Sequence, residues 1–462
     1  MPDAMFRFVP GANHATAGTA NGCPCGRAVA CNARGGASGF WVYVATLMAL
    51  CTGVPAHAQL LDRYFPANVP AYQDWFAAAT PLVEDSGYSP LGVRIGSFAV
   101  HSSVTQGIEY DSNIFGTAQG GGSGALETSA AVSIDSNWST NGINGALSVD
   151  NLHYFQYPSR SYTDWTASVG GVIQDADNEI RLGYSHLNTV SLPTDVGLFG
   201  LNAPVIDQVD DFRISDTIGP GPLTLVPALV GQLYQFTPVS GNTAAGSLDL
   251  FNRQALTGSL TAGYEFSGGH DVIVVLSDSQ VGYSGGQVTV ARPSDYNDVS
   301  VMTGLQYRQS ALFTYRALVG YETRFATGRG TNDGTISAPA AELDVIWDPT
   351  VLTTVTGRVT QSLQDEPTGI AQGLIDTGAE LDVTHSYRRN ITLNGSIRYD
   401  RSSFPDSSET QSGVSVSAGG SWALSRALSI SVQYEFSHAD GSSPGEVTFT
   451  RHQVWLRATL QL

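Results

Sequence analysis

The chain has 462 residues, with 22 basic residues (every one an arginine), 41 acidic residues and a formal net charge of −19. That balance excludes nucleic acid as a partner, because a polyanion is held by clustered positive charge. All four cysteines (Cys23, Cys25, Cys31, Cys51) fall near the amino terminus, and Cys23-x-Cys25 has no His or Cys partner at zinc-site spacing, so no metal is expected.

Arg27 and Arg34 precede an apolar run from Phe40 to Leu50 that ends at Ala56-His57-Ala58, a small-x-small cleavage site. This pattern predicts a signal peptide over 1–58 with a long n-region, and a mature chain starting at Gln59. The run is shorter than the ~20 residues a helix needs to span a bilayer. A lipoprotein anchor at Cys51 is excluded, since Leu50 sits where a small residue is required. Removing Arg7, Arg27, Arg34 and Asp3 leaves the mature chain more acidic still. Residues 59–91, with Pro66, Pro70, Tyr72, Trp75 and Phe76, lack strand periodicity and are expected to form a periplasmic or pore-associated extension.

From about residue 104 to the end, apolar and polar residues alternate with period two. Leu256-Gly258-Leu260-Ala262-Tyr264-Phe266 stands against Thr257-Ser259-Thr261-Gly263-Glu265, and Leu428-Ile430-Val432-Tyr434-Phe436 against Ser429-Ser431-Gln433-Glu435. The last strand, Val454–Leu462, alternates to its final residue, with Arg457, Thr459 and Gln461 on the polar face. Soluble strands average about five or six residues; these reach the ~10 that a tilted membrane strand needs.

The connections alternate in length. Ser139–Asn141, Asp175–Asn178, Ser267–Gly269, Arg308–Ser310, Asp348–Thr350, Arg388–Asn390 and Leu424–Ala427 are short. Asp111–Gly124, Gln156–Tyr162, Ser284–Tyr296, Ala326–Pro339, Gln364–Ile375, Ser402–Gln411 and Ser437–Val447 are long, and Thr189–Arg253 is very long. Short periplasmic turns and long external loops mark a transmembrane barrel. The expected fold is all-β: an antiparallel up-and-down barrel of about 16 strands (range about 14–18), both termini periplasmic. Trp138, Trp347, Trp422, Tyr307 and Tyr387 fall beside the short links, as an aromatic girdle would.

The segment 190–250 is expected to be an external loop that constricts the pore, with Asp207, Asp210 and Asp211 reaching lumen arginines such as Arg316 and Arg358. On the strands, Arg316, Glu322, Arg324, Glu342, Asp344, Arg358, Glu380, Asp382, Arg398, Asp400, Glu435 and Arg457 fall on the polar faces. Facing lipid, each arginine would cost roughly 2–4 kcal/mol near the midplane. They are therefore expected to line the lumen as Arg–carboxylate pairs.

Catalytic and cofactor signatures are absent: there is no Gly-x-Ser-x-Gly elbow, no His-Glu-x-x-His and no phosphate-binding glycine loop. Ser185-His186 and Ser437-His438 are adjacent in strands and so point to opposite faces. His153, His385 and His452 read as polar residues near strand ends rather than metal ligands.

Pro90-Leu91-Gly92-Val93-Arg94-Ile95-Gly96-Ser97-Phe98, then Glu109-Tyr110-Asp111-Ser112-Asn113-Ile114-Phe115, resemble the second family of proteobacterial outer-membrane β-barrel porins, as does Trp347-Asp348-Pro349-Thr350. The likeness runs from about Pro90 to Leu462. It implies an outer-membrane location and, from the family's frequent place beside exopolysaccharide genes, polysaccharide traffic. The expected partners are outer-membrane lipid and lipopolysaccharide, the barrel-assembly machinery through Val454–Leu462, and polysaccharide. The expected function is passage or export-associated handling of a polar solute. The alternatives are a non-conducting adhesive barrel with cation-binding acidic loops, and a lipid or glycan hydrolase.

Overall fold

A computed structural model describes residues 64–73, 87–175, 177–192, 194, 204–219, 221–238, 251–284, 294–308, 312–327, 334–365, 373–405, 409–442 and 448–462. The expected signal peptide and its cleavage site, the cysteines, Trp75 and Phe76 lie outside the described residues.

A short strand, β1 (Val93–Ile95), leads into β2 (Phe98–Asp111), β3 (Ser123–Ser136), β4 (Gly142–Tyr154), β5 (Tyr162–Gln174), β6 (Asn178–Ser191) and β7 (Val205–Ile218). Then follow β8 (Leu223–Pro238), β9 (Arg253–Ser267), β10 (His270–Tyr283), β11 (Tyr296–Tyr307), β12 (Phe313–Ala326) and β13 (Thr335–Thr350). The chain ends with β14 (Thr353–Gln364), β15 (Leu374–Arg388), β16 (Ile391–Ser403), β17 (Thr410–Ala423), β18 (Leu428–Gly441) and β19 (Phe449–Gln461). Each strand from β2 onward pairs antiparallel with its sequence neighbours, and β19 pairs with β2, so 18 strands close a barrel with β1 as an extra flap.

The count lies at the upper end of the expected range because the described residues of the expected loop 190–250 include two strands. Residues 205–218 and 223–238 form the hairpin β7–β8, paired to β6 on one side and β9 on the other. Its polar and apolar residues do not alternate cleanly. Gln208 and Asp210 share a face with Phe212, while Leu223–Val230 is apolar on both faces and contains Pro227. Proline cannot donate to a ladder and argues against a central strand. Pro227 falls where the β7–β8 ladder is interrupted, between the Ser215–Ala228 and Ile218–Leu225 pairs, so its missing donor is accommodated there.

Alternation sorts the side chains between two media. On β19, Leu456 and Leu460 are exposed on the outer face while Trp455, next to Leu456, is fully buried on the inner one. The same parity holds round the wall, so exposed aliphatics such as Val104, Leu256, Val319 and Ile397 form the lipid-facing belt. At the short-turn end, Trp138, Trp347, Trp422 and Tyr387 are exposed beside the belt. The turns there are tight. Gly268 (φ 46°) and Gly269 (φ 82°) make a two-residue hairpin whose left-handed conformations strongly favour glycine.

The motif residues gather at the closing seam. Asp111 accepts from Arg451 across the β2–β19 junction, the Ser112 amide donates to the His452 carbonyl (3.0 Å), and the His452 amide donates to Ser112 Oγ (2.8 Å). Asn113 Nδ2 donates to the Thr450 carbonyl (3.2 Å). Near the other end of the seam, the Leu462 amide donates to the Ser102 carbonyl (2.9 Å), and β1 pairs with the part of β2 left beyond the end of β19. Gly96 (φ 61°) turns β1 into β2, and Trp138 Nε1 donates to Ser97 Oγ (3.2 Å). Tyr-Asp-Ser-Asn and Gly-Ser-Phe are thus latches at two ends of one seam.

An open sheet edge in hydrocarbon leaves backbone groups unpaired at several kcal/mol each. We expect deletion of Leu456–Leu462, or Leu460→Asp, to abolish assembly. Loss of heat-modifiable migration and of the membrane-extracted species would show it, and normal folding of the truncated chain would refute it.

Candidate functional site: the lumen wall and its N-terminal insert

The inner face of the barrel carries the charge. Arg316, Glu322, Arg324, Glu342, Asp344, Arg358, Glu380, Asp382, Arg398, Asp400, Glu435 and Arg457 all have the strand parity opposite to the exposed aliphatic belt, and so face inward. Several meet as short ion pairs: Arg316–Glu342 (3.1 Å), Arg358–Asp344 (2.6 Å), Arg398–Asp400 (2.9 Å) and Arg457–Glu127 (2.7 Å). Glu322 accepts the Leu363 amide through Oε2 (2.9 Å).

Three clusters dominate. In the first, at the seam, Arg451 clasps Asp111 with Nε at 3.1 Å from Oδ1 and Nη2 at 2.5 Å from Oδ2, and both side chains are nearly fully buried. A bidentate guanidinium–carboxylate pair of this kind is both strong and directional. In the second, Arg324 Nη2 reaches Asp298 (2.9 Å), its Nη1 reaches Asp365 (3.1 Å), and the guanidinium lies 4.0 Å over the Tyr296 ring. Asp365 is shared with Arg253 (3.1 Å), which lies over Tyr234 at 4.3 Å. In the third, Asp211 takes Arg213 (2.9 Å) and the Gln232 amide (2.7 Å), and Tyr234 donates to Gln232 Oε1 (3.0 Å). Tyr234 therefore joins the second and third clusters through the β7–β8 hairpin.

Residues 64–73 lie inside the barrel against β3–β8. Phe65, Val69 and Tyr72 pack with Leu187, Val209 and Tyr234 in one buried group, and Phe65 stacks on Tyr72 with centroids 4.6 Å apart. Arg213 covers both rings, at 4.4 Å from Phe65 and 4.8 Å from Tyr72. The Tyr72 hydroxyl donates to the Asp211 carbonyl (2.9 Å), and burial pushes its phenol well above the usual range, so it stays a donor. Asn68 Nδ2 donates to Asp135 Oδ1 and to the Gly145 carbonyl, each at 3.1 Å. The wall leaves room for this insert where it has no side chain: a Cβ on Gly183 would sit 2.8 Å from Ala71 Cβ and 2.9 Å from the Tyr72 ring. Toward the short turns, a polar cavity of about 290 Å³ opens between Pro70 and Gln73 of the insert and wall residues including Asn144, Glu179 and Arg181.

The expected acidic constriction does not arise from a loop. Asp207, Asp210 and Asp211 are strand residues of β7, while Arg316 pairs with Glu342 and Arg358 with Asp344. Asp207 accepts from Ser191 Oγ, and Asp211 holds Arg213. Asp210 faces outward, bonded to His186 Nδ1 (2.8 Å) and the Tyr184 hydroxyl (2.6 Å). Their sequence spacing placed them in one segment, but alternation sends them to different faces.

Sequence reading missed Asp111, Arg451, Asp298, Asp365, Arg213 and Arg253 as lumen residues. Asp111 and Asp365 looked like loop residues because each sits at a strand end. The buried parity of Arg451 and Asp298 was the signal that could have found them. Ser185 and Ser437 face inward while His186 and His438 face outward, so neither pair shares a site. His153, His385 and His452 bond to Ser161, Thr353 and Tyr434 on the outer face. Among the described residues, no group of three His, Cys, Asp or Glu is placed to hold a metal ion.

A closed antiparallel barrel with an aliphatic outer belt and a charged inner wall defines an outer-membrane β-barrel of the porin class, and such a fold places the chain in a Gram-negative outer membrane. The family described as "Putative beta-barrel porin 2" matches residues 85–188 and 237–462, and the chain belongs to it. The unmatched stretch between these two segments contains β7 and nearly all of β8. No curated protein matches the chain. Among solved structures it is similar to OccAB3 of Acinetobacter baumannii at 10% identity and TM-score 0.42, covering 80% of this chain and 100% of that one. It is similar to opdK of Pseudomonas aeruginosa at 12% identity and TM-score 0.43, covering 79% and 99%. It is likewise similar to the FrpB iron transporter of Neisseria meningitidis at 8% identity and TM-score 0.42, covering 79% and 82%.

Removing one partner of a buried ion pair strands the other charge, at about 3–5 kcal/mol. We expect Arg324→Met to lower the temperature of heat modification in detergent markedly, and Arg324→Met with Asp298→Asn to recover part of it. Equal stability of the single variant and wild type would show that the Asp298–Arg324–Asp365 cluster does not hold the wall.

Proposed function

We propose that the chain is a channel for small polar solutes, narrowed from within by residues 64–73, with both termini on the periplasmic side. The observation that carries this reading is the charged, hydrophilic inner face of an 18-stranded barrel. Barrels of 16–18 strands leave an aqueous channel unless something fills them. The short-turn end, where both described ends of the barrel wall meet, supports the periplasmic placement of the termini. Contact with lipopolysaccharide and recognition by the assembly machinery through Val454–Leu462 belong to the same reading, since that segment completes the barrel. The family's association with exopolysaccharide loci supports a polysaccharide or its fragments as one such solute. Membership of a porin family favours a channel over an enzyme.

A second reading is favoured by the insert. If residues 64–73 and their neighbours fill the lumen, the barrel is a non-conducting surface scaffold. Single-channel recording in planar bilayers separates the two. Steady conductance supports the channel, and its absence in a folded, heat-modifiable preparation supports the scaffold. We expect Gly183→Leu, whose Cβ would meet Ala71 and the Tyr72 ring, to raise conductance while leaving assembly intact. Deletion of residues 64–73 should do the same. Unchanged conductance in both would place the insert outside the ion path.

A further inference from the structure

We infer that the lumen is cation-selective, so that the favoured solutes are inorganic cations and amine-bearing molecules rather than anions. The inference rests on the channel reading and adds to it the sign of the charge that passes.

Most arginines of the inner wall are already paired. Those of the three clusters and of the Arg316, Arg358, Arg398 and Arg457 pairs each sit on a carboxylate, and so does Arg181, held by Glu179. The side chains of Arg324 and Arg451 are also nearly inaccessible, at 2% and 6% exposure, so a passing ion meets little of their charge. The chain has no lysine to supply more.

Carboxylates outnumber arginines on the same face. The imbalance is plainest over β15–β18. There Asp376, Glu380, Asp382, Asp400 and Glu435 face inward against Arg398, with Arg358 of β14 opposite Glu380, and the inward face of β17 carries only neutral residues. These acids are partly water-accessible, whereas Arg324 and Arg451 are nearly buried. A second observation points the same way at the seam. Glu109 is 5% exposed, spends one oxygen on Gln453 Nε2 (3.0 Å), and has no hydrogen-bond partner for Oε2 among the described residues. An acidic group left short of donors on an inner wall attracts a cation.

The physics follows from the shape. A water-filled tube walled by one sign of charge inside a low-dielectric shell concentrates counter-ions and excludes co-ions. Rings of acidic side chains are the usual basis of cation preference in pores. At about 0.01 M salt the screening length is roughly 30 Å, while at 1 M it is about 3 Å. Selectivity from distributed wall charge must therefore weaken as salt rises, whereas a purely steric sieve would not change.

The test is the reversal potential of the purified mature protein in a planar bilayer under a KCl gradient. The expected result is potassium permeating several-fold faster than chloride, with the ratio falling as total KCl is raised. The triple variant Asp376→Asn, Asp382→Asn, Glu435→Gln preserves side-chain shape and should move the reversal potential toward zero. Asp278→Asn, on the outward face of β10, should leave it where it is. A conducting wild type with a zero or chloride-favouring reversal potential overturns the inference while sparing the channel. Equal shifts from the triple variant and Asp278→Asn also overturn it, because wall charge would not be the cause. A folded protein that carries no current sinks the channel and the inference together.

Discussion

Everything in this molecule depends on one constraint: no backbone N–H or C=O can be left unpaired in hydrocarbon. A strand therefore needs two neighbours, and only closure gives the last strand its second. The β2–β19 junction is the one place where partners come from opposite ends of the chain, so it carries the largest loop-closure cost. Its side chains answer that cost. Arg451 bridges to Asp111, Ser112 trades hydrogen bonds with His452, and Asn113 reaches Thr450. The β1 flap covers the part of β2 that β19 does not reach. Family-like motifs at Tyr110–Ile114 and Gly96–Phe98 are then explained by closure, with no role in solute chemistry required.

Closure also decides where charge can go. The outer face meets acyl chains, so arginines and acids go inward, into a wall that is narrow and partly dry. There they cannot stay apart, because a buried charge without a counter-charge costs several kcal/mol. The result is a set of clusters in which one carboxylate serves two cations (Asp365 with Arg253 and Arg324) or one guanidinium also covers aromatic rings (Arg213 over Phe65 and Tyr72). These networks stiffen the wall. The less buried acids of β15–β18 are left to face the water. Bracing and selectivity thus draw on different members of one charge set.

The β7–β8 hairpin ties these parts together. Asp211, Arg213, Gln232 and Tyr234 belong to it, and through them the insert at 64–73 is linked to the Arg324 cluster. The stretch that the family match leaves out therefore helps seat the insert, together with Gly183 and Leu187 of the matched β6. The hairpin thus both widens the barrel and contributes to the insert's seat.

Much was legible in the sequence because a membrane strand is a local object. Period-two alternation, ten-residue runs and short links such as Leu424–Ala427 depend only on neighbours along the chain. They were enough to state the barrel, its approximate strand number and the inward parity of residues such as Arg316 and Glu435. The hairpin was not legible. Gln208 and Asp210 break the alternation of β7, Pro227 speaks against β8, and only pairing to β6 and β9 makes them strands. Partners were not legible either, since Arg324 meets Asp365 across intervening strands, a contact set by the stagger between strands that no single strand encodes. The insert had no periodicity to read at all. Its place inside the barrel follows from a gap above Gly183, a shape that exists only once the wall has closed.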